Sequence, residues 1–263
     1  TPLYSMKAAL SNGSFVEQEF GMRIFQKGGT SIRINGDKVF LRSEANCAVF
    51  PLTGYAPMDE DEWTKLFTTY RSYGINAVRF HSWCPPEAAF RAADKLGMYL
   101  QPELSIWDDQ SFSDGVKKTY FTKEALAILK EYANHPSFVM LSFGNEGSNQ
   151  DYSFANQLAL QLKNQDATRM YATGSNTTFG NSDPLSNADY FTAQAYKNDP
   201  LRGTYGGMVG YINQSYPSTT FNYDSAAEKV NNYGVPVFSF EVGQYQVFPD
   251  LLTELSQYTG VLE

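Results

Sequence analysis

The chain is short of the residues that usually mark a metal or redox centre. Among 263 residues there are two cysteines and two histidines. Cys47, Cys84, His81 and His135 stand at no metal-ligand spacing, so neither a His-rich zinc site nor a binuclear metal site is expected, and no cofactor is expected. Two cysteines also leave the compartment open. Basic residues are few: 20 Lys and Arg against 28 Asp and Glu give a net charge of −8. Nucleic acid demands clustered Lys and Arg, which excludes it as a partner. No apolar run approaches the roughly 20 residues of a membrane span, so no membrane partner is expected. The chain opens Thr1-Pro2-Leu3 with no initiator Met and no signal-peptide pattern, and an earlier segment is expected to have been removed. What is abundant is apolar: 42% hydrophobic against 18% charged residues. That supports a sizeable core and excludes general disorder. The length suits one large α/β domain or two small ones.

Residues 1–40 differ from the rest. Leu3–Leu10 and Ser14–Phe25 flank an Asn12-Gly13 turn signal and read as a β-hairpin. Ser31–Ile34, Asn35-Gly36-Asp37 and the following KVFL read as a second one. An isolated hairpin is marginal in water, so the first is expected to belong to a β-sandwich whose other strands lie outside this sequence.

From Val39 strands and helices alternate. VFLRSEANC is strand one. Asp59 caps a helix whose Trp63, Leu66, Phe67 and Tyr70 recur at helical spacing and read as core. Ile75–Trp83 is strand two, and Pro85-Pro86 opens a helix that Gly97 closes. Met98–Trp107 holds strand three, and Thr122 is expected to cap the next helix. Strand four follows Pro136. Helix four spans Phe154–Lys163, and strands five, six and seven lie in 170–176, 190–196 and 235–245. The pattern predicts an α/β fold, a (β/α)8 TIM barrel with seven βα units present and the eighth missing. Open edges of that kind suggest a truncated piece of a longer protein.

Two of these strands end in a carboxylate. Val139–Phe143 is an apolar run that stops at Gly144-Asn145-Glu146-Gly147, and VPVFSFEVGQY carries Glu241 at the corresponding place. In a parallel barrel the active site lies where the strands end. Paired carboxylates there suit glycosidic cleavage, in which one protonates the leaving oxygen and the other meets an oxocarbenium-like carbon. A lone strand-end Glu reads as a cap or an Arg partner, but two at these positions favour catalysis.

GNE on strand four, FEVGQ on strand seven, INGDKVFLR before strand one and PLYSMKAAL…FGMR at the N-terminus resemble glycoside hydrolase family 2, the group of β-galactosidases, β-glucuronidases and β-mannosidases. The resemblance implies that residues 1–25 end an immunoglobulin-like sandwich domain and its linker. It implies that 26–263 form a C-terminally truncated catalytic barrel, with sandwich domains and a C-terminal segment of the same enzyme missing. It implies a retaining exo-β-glycosidase, β-galactosidase-like, acting on an oligosaccharide or glycoside, with Glu146 as acid/base, Glu241 as nucleophile and the carboxyl groups about 5–5.5 Å apart. A catalytically inactive carbohydrate-binding barrel and an endo-acting glycanase stay open as alternatives. A periplasmic or secreted setting is preferred to a cytoplasmic one.

By the same resemblance Asn145 bonds the sugar's 2-OH and Tyr196 donates to the nucleophile. The family's strand-two order is closer to R-x-S-H, whereas this chain reads Arg79-Phe80-His81-Ser82. Alternation puts Arg79 and His81 on one side of the strand, with Arg79 suited to orient Glu241 and His81 either a sugar contact or a structural residue. Arg42 on strand one and Glu103 on strand three are further candidates, either of the same structural kind as Arg79 or for direct contact. Trp83 and Trp107 end strands two and three and could be sugar platforms or lids on the core. Asp108 and Asp109 could bond hydroxyls. The long aromatic loop 197–223, with Tyr205, Tyr211 and Tyr216, reads as a subsite wall. Cys47 and Cys84 read as two buried thiols rather than a disulfide.

Overall fold

The protein is described by a computed structural model covering residues 2–51, 53–107, 112–147, 151–175, 183–196, 199–201, 228–239, 241–242 and 250–255. It begins with an antiparallel hairpin of Leu3–Ala9 (β1) and Phe15–Gly21 (β2). A second antiparallel sheet joins Phe25–Gly28 (β3), Ser31–Ile34 (β4) and Asp37–Val39 (β5). Asn35 (φ 51) and Gly36 (φ 92) turn the chain between β4 and β5 in the left-handed region that Asn and Gly tolerate.

The parallel strands follow. Ser43–Asn46 (β6), Ala77–Phe80 (β7) and Tyr99–Gln101 (β8) form one sheet in that order. Parallel bridges Leu100↔Phe138 and Glu103↔Ser142 link it to Met140–Ser142 (β9), which pairs with Met170–Ala172 (β10). Phe191–Ala193 (β11) pairs in parallel with Val237–Ser239 (β14). Between these two, Ala195–Tyr196 (β12) and Asp199–Pro200 (β13) make a small antiparallel pair. Among the described residues these sheets do not close into a barrel.

The helices cover the outer face: Glu60–Ser72 (α1), Glu87–Leu96 (α2), Gly115–Glu131 (α3) and Tyr152–Gln165 (α4). Asp59 caps α1, its carboxylate accepting from Glu62 N at 2.9 Å. Gly97 closes α2 at φ 70. Val78, Phe80, Leu100, Leu141 and Tyr171 point from the strands into the helix layer, where Trp63, Phe67, Phe90, Leu129 and Leu158 meet them. Each such side chain contributes about 1.5–3 kcal/mol when fully buried. A second cluster lies at the opposite end of the strands from the strand-end glutamates, where Phe25 and Ile32 of the antiparallel sheet pack on Val139, Met140, Met170 and Tyr190. Arg23 locks the hairpin exit to this end, donating to the carbonyls of Thr168 (2.6 Å), Phe138 (2.7 Å) and Pro136 (3.2 Å).

Two boundaries differ from the sequence pattern. Strand one is shorter at its start, because Asp37–Val39 pairs antiparallel with β4 and only Ser43–Asn46 joins the parallel sheet. Thr122 is no cap. It lies inside α3 with its hydroxyl on Lys118 O, and Asp114 caps the helix eight residues earlier by accepting from Val116 N and Lys117 N. Among the described residues no helix is long and apolar enough to cross a membrane.

Candidate active site

The strands lift a set of charged groups into one cavity of about 1390 Å³, lined by Arg79, His81, Trp107, Asn145, Glu146 and Glu241 among others. Arg79 is its hub. Alternation along β7 sends Val78 and Phe80 to the helices and Arg79 inward. Its Nε and Nη2 donate to the two oxygens of Glu103 at 2.6 and 3.2 Å. The same Nη2 donates to Asn145 Oδ1 at 2.7 Å, and Nη1 to Glu241 Oε1 at 3.2 Å. Burial opposes the guanidinium's charge, but Glu103 and Glu241 outweigh it and hold Arg79 above its ordinary value.

Glu146 is tied in through aromatic rings. Trp107 Nε1 donates to Glu146 Oε2 at 3.2 Å. The Trp107 ring stands edge-on to His81, centroids 4.8 Å apart, and His81 Nε2 lies 3.8 Å from Glu241 Oε1. Nδ1 of His81 pairs with Ser82 Oγ at 3.0 Å.

The backbone at these strand ends is unusual. Glu146 (φ 49), Glu241 (φ 48), Ser82 (φ 60) and Ala48 (φ 57) are all left-handed. Such conformations cost non-glycine residues on the order of 1–3 kcal/mol and concentrate at functional sites. Gly144 has φ 89, and a Cβ there would overlap the backbone and side chain of Ile106. That close approach carries Asn145 N to Ile106 O at 2.9 Å and sets the level of both Asn145 and Glu146.

Seven of the site residues singled out from the sequence therefore line one cavity: Glu146, Glu241, Asn145, Arg79, His81, Trp107 and, at its far end, Arg42. Trp107 is 65% exposed, so its ring is available to a ligand. Tyr196 sits in β12 with its ring 5.1 Å from that of Tyr233.

Three of the candidates for direct contact are engaged by the protein itself. Glu103 is 0% exposed and spent on protein partners. Arg42 precedes β6, at the other end of that strand, and its Nε donates to Gly74 O at 2.5 Å just past α1. Trp83 donates to Asn46 O at 3.0 Å and packs on Phe80 and Trp63. The left-handed Ser82 breaks the alternation after His81 and turns Trp83 towards the helices. The cysteines are unbridged and only half match two buried thiols: Cys84 is partly buried, and Cys47 is exposed on the cavity wall. Asp108, Asp109, Tyr205, Tyr211 and Tyr216 lie outside the described residues. Among the described residues no His, Cys, Asp and Glu cluster could hold a metal ion.

Sequence reasoning missed the groups around Glu103. Ser82 N donates to Glu103 Oε2 at 2.8 Å, Gln101 Nε2 to Oε1 at 3.4 Å, and the Ser175 hydroxyl to Oε1 in a short bond. Only the inward parity of Gln101 with Arg79 could have hinted at them.

The family model for glycosyl hydrolases family 2, TIM barrel domain, matches residues 27–202. A curated β-galactosidase of Vibrio vulnificus is 25% identical over 198 residues, which is 67% of this chain and 18% of that protein. A Parabacteroides merdae β-glucuronidase structure superposes with a TM-score of 0.67 at 20% identity, over 89% of this chain and 28% of its own. A family 2 β-galacturonidase from Eisenbergiella tayi, solved with galacturonate, gives 0.68 at 16% identity, over 90% and 41%. At such identities the structural likeness shows the fold, a TIM barrel domain. The chain thus spans less than half the length of each of these relatives. With the family model covering 176 residues, well over half the chain, and the parallel strands ending in paired carboxylates, this chain belongs to glycosyl hydrolases family 2, to its TIM barrel domain.

Proposed function

We propose that this chain carries the catalytic centre of a retaining exo-β-glycosidase. Glu241 is the nucleophile, Glu146 the general acid/base. The observation that carries this is the meeting of both carboxylates in one cavity, linked through Arg79, His81 and Trp107. Glu241 attacks the anomeric carbon while Glu146 protonates the departing oxygen; water then hydrolyses the glycosyl-enzyme with Glu146 as base. Arg79 holds Glu241 by a charge-assisted bond. Asn145, whose oxygen is taken by Arg79, presents its amide N–H groups to a sugar hydroxyl, the 2-OH. Trp107 offers its exposed face to the ring, His81 flanks Glu241, and Tyr196 donates to Glu241. The same reading takes β6 to β11 and β14 as seven of the barrel's strands, with the β1–β2 hairpin outside it in residues 1–25.

The relatives named above act on β-galactosides, β-glucuronides and β-galacturonides by their names, so the substrate is drawn from that set, with the galactoside preferred. The test is a panel of aryl β-glycosides of these sugars offered to the full-length protein, with NMR of the first-formed product. Turnover with retention at the anomeric carbon supports the reading. Inversion, or binding without turnover across the panel, overturns it.

A further inference from the structure

We propose that Glu103 is a positioning residue that sets the basicity of Glu241 by sharing the single positive charge of Arg79; the inference rests on Glu241 being the nucleophile. Glu103 is fully buried and cannot meet a ligand, yet it takes the Nε–Nη2 edge of the guanidinium with both oxygens. Arg and carboxylate pair strongly in this two-bond geometry. Glu241 receives the remaining nitrogen, Nη1, by one longer bond of 3.2 Å. Among the described residues Arg79 thus answers two carboxylates, and the shorter, doubled contact belongs to the one that does no chemistry. A nucleophile held by an unshared Arg would be ionised over a wider pH range but would be a weaker base. Sharing leaves Glu241 oriented by one guanidinium nitrogen.

Ser175 is the counterweight. Its hydroxyl donates a short bond to the Glu103 oxygen that also faces Arg79 Nε, and it bridges to Ser142 Oγ at 3.2 Å. Every donor to Glu103 spreads its negative charge and loosens its hold on Arg79. The groups around this chain come from several strands. Glu44 and Cys47 lie at the β6 side, the Cys47 thiol raised by desolvation first, with Glu241 and Glu103 adding to it. His81 lies beyond β7, Glu146 beyond β9, and Tyr190 precedes β11, buried and pushed upward by desolvation and then by Glu103. Arg79 bonds both Glu103 and Glu241, so changes made at Glu103 and Ser175 reach Glu241 through Arg79.

The prediction is a pair of opposite shifts. In Glu103→Gln the amide carries no charge, Arg79 is left to Glu241, and the acidic limb of the kcat/KM–pH profile, which reports free-enzyme groups, moves down by about one unit. In Ser175→Ala, Glu103 gains charge density, draws Arg79 away, and the limb moves up. A merely structural role would change yield or kcat and leave the limb in place. Alongside, a 2-deoxy-2-fluoro glycosyl fluoride of the sugar turned over best is used to trap the nucleophile in the wild-type full-length protein, located by peptide mass spectrometry. A label on any residue but Glu241 removes the reading beneath. A label on Glu241 with unmoved limbs, or with both limbs moving the same way, overturns this proposal alone. If Glu103→Gln fails to fold, Ser175→Ala decides by its sign: an upward limb supports the proposal and a fixed or downward one refutes it.

Discussion

Arg79→Met isolates the buried hub. Methionine fills the volume of the aliphatic stem without the charge, so packing loss is small. What is lost is the partner of Glu103, a carboxylate at 0% exposure. Breaking a buried ion pair by removing one side costs about 3–5 kcal/mol, because the other charge stays in the dry interior. Glu103 keeps donors from Ser82 N, the Ser175 hydroxyl and Gln101, which places the expected loss near the lower bound, about 3 kcal/mol. The double variant Arg79→Met/Glu103→Gln removes the stranded charge. Its amide oxygen still accepts from Ser82 N and its NH2 donates to Ser175, so about 1–2 kcal/mol of that loss is recovered. Activity falls in both, by about a hundredfold in kcat/KM, because Glu241 loses a preorganised donor. Urea unfolding of the full-length protein followed by tryptophan fluorescence measures the first pair of numbers. A single variant destabilised by less than about 1 kcal/mol, or a double as unstable as the single, would refute the assignment of Arg79 as a counter-charge of Glu103.

Other outcomes follow from the same geometry. Glu241→Ala is expected to abolish turnover, and azide to restore it as an α-glycosyl azide identified by NMR; rescue to the β-anomer contradicts the assignment. Glu146→Ala should slow substrates with poor leaving groups most and spare the glycosylation step for activated aryl glycosides, read by comparing leaving groups in single-turnover kinetics. Gly144→Ala forces a Cβ into Ile106 and displaces Asn145 and Glu146; a loss of about 2–4 kcal/mol in stability and at least tenfold in kcat is expected, and wild-type kcat would show that this close approach does not position the carboxylate. Asp151 caps α4 and pairs with Lys118 at 2.7 Å, bonds that hold its carboxyl below the usual range. A depressed folded-state value gives stability that is complete above the unfolded value, near 3.9, and lost as pH falls through the folded one. Asp151→Asn should therefore flatten the stability profile below about pH 4, and an unchanged acid limb of unfolding would count against the pairing.

How much of this was legible in the sequence depended on whether the signal was local. Asp59, Gly97 and the Trp63–Phe67 stripe were readable because capping and helical periodicity are set within a few residues. Glu146 and Glu241 were readable because an apolar run that ends in a carboxylate has only one end at which to present it. Alternation put Arg79 and His81 on the inner face, as found. Trp83 stayed open between platform and core lid, because the left-handed Ser82 that turns it to the helices is marked by no composition. Thr122 looked like a cap since Thr is common there, while Asp114 offers two N–H groups a stronger acceptor earlier in the chain.

The sequence by itself determined which residue types end which strands, and with that the chemistry the site can attempt. The tertiary structure decided who holds whom. Arg79, Glu103, Asn145, Ser175 and Glu241 are separated by up to 162 positions and meet only when the ends of five strands are brought together. The contest of two carboxylates for one guanidinium is a matter of ångströms and burial, and a linear pattern carries neither. Glu103 and Arg42 looked alike as charged residues in or beside strands. Packing made the first a fully buried counter-charge and sent the second to the end of α1, because only a folded chain can take a carboxylate out of water and supply it with five hydrogen bonds.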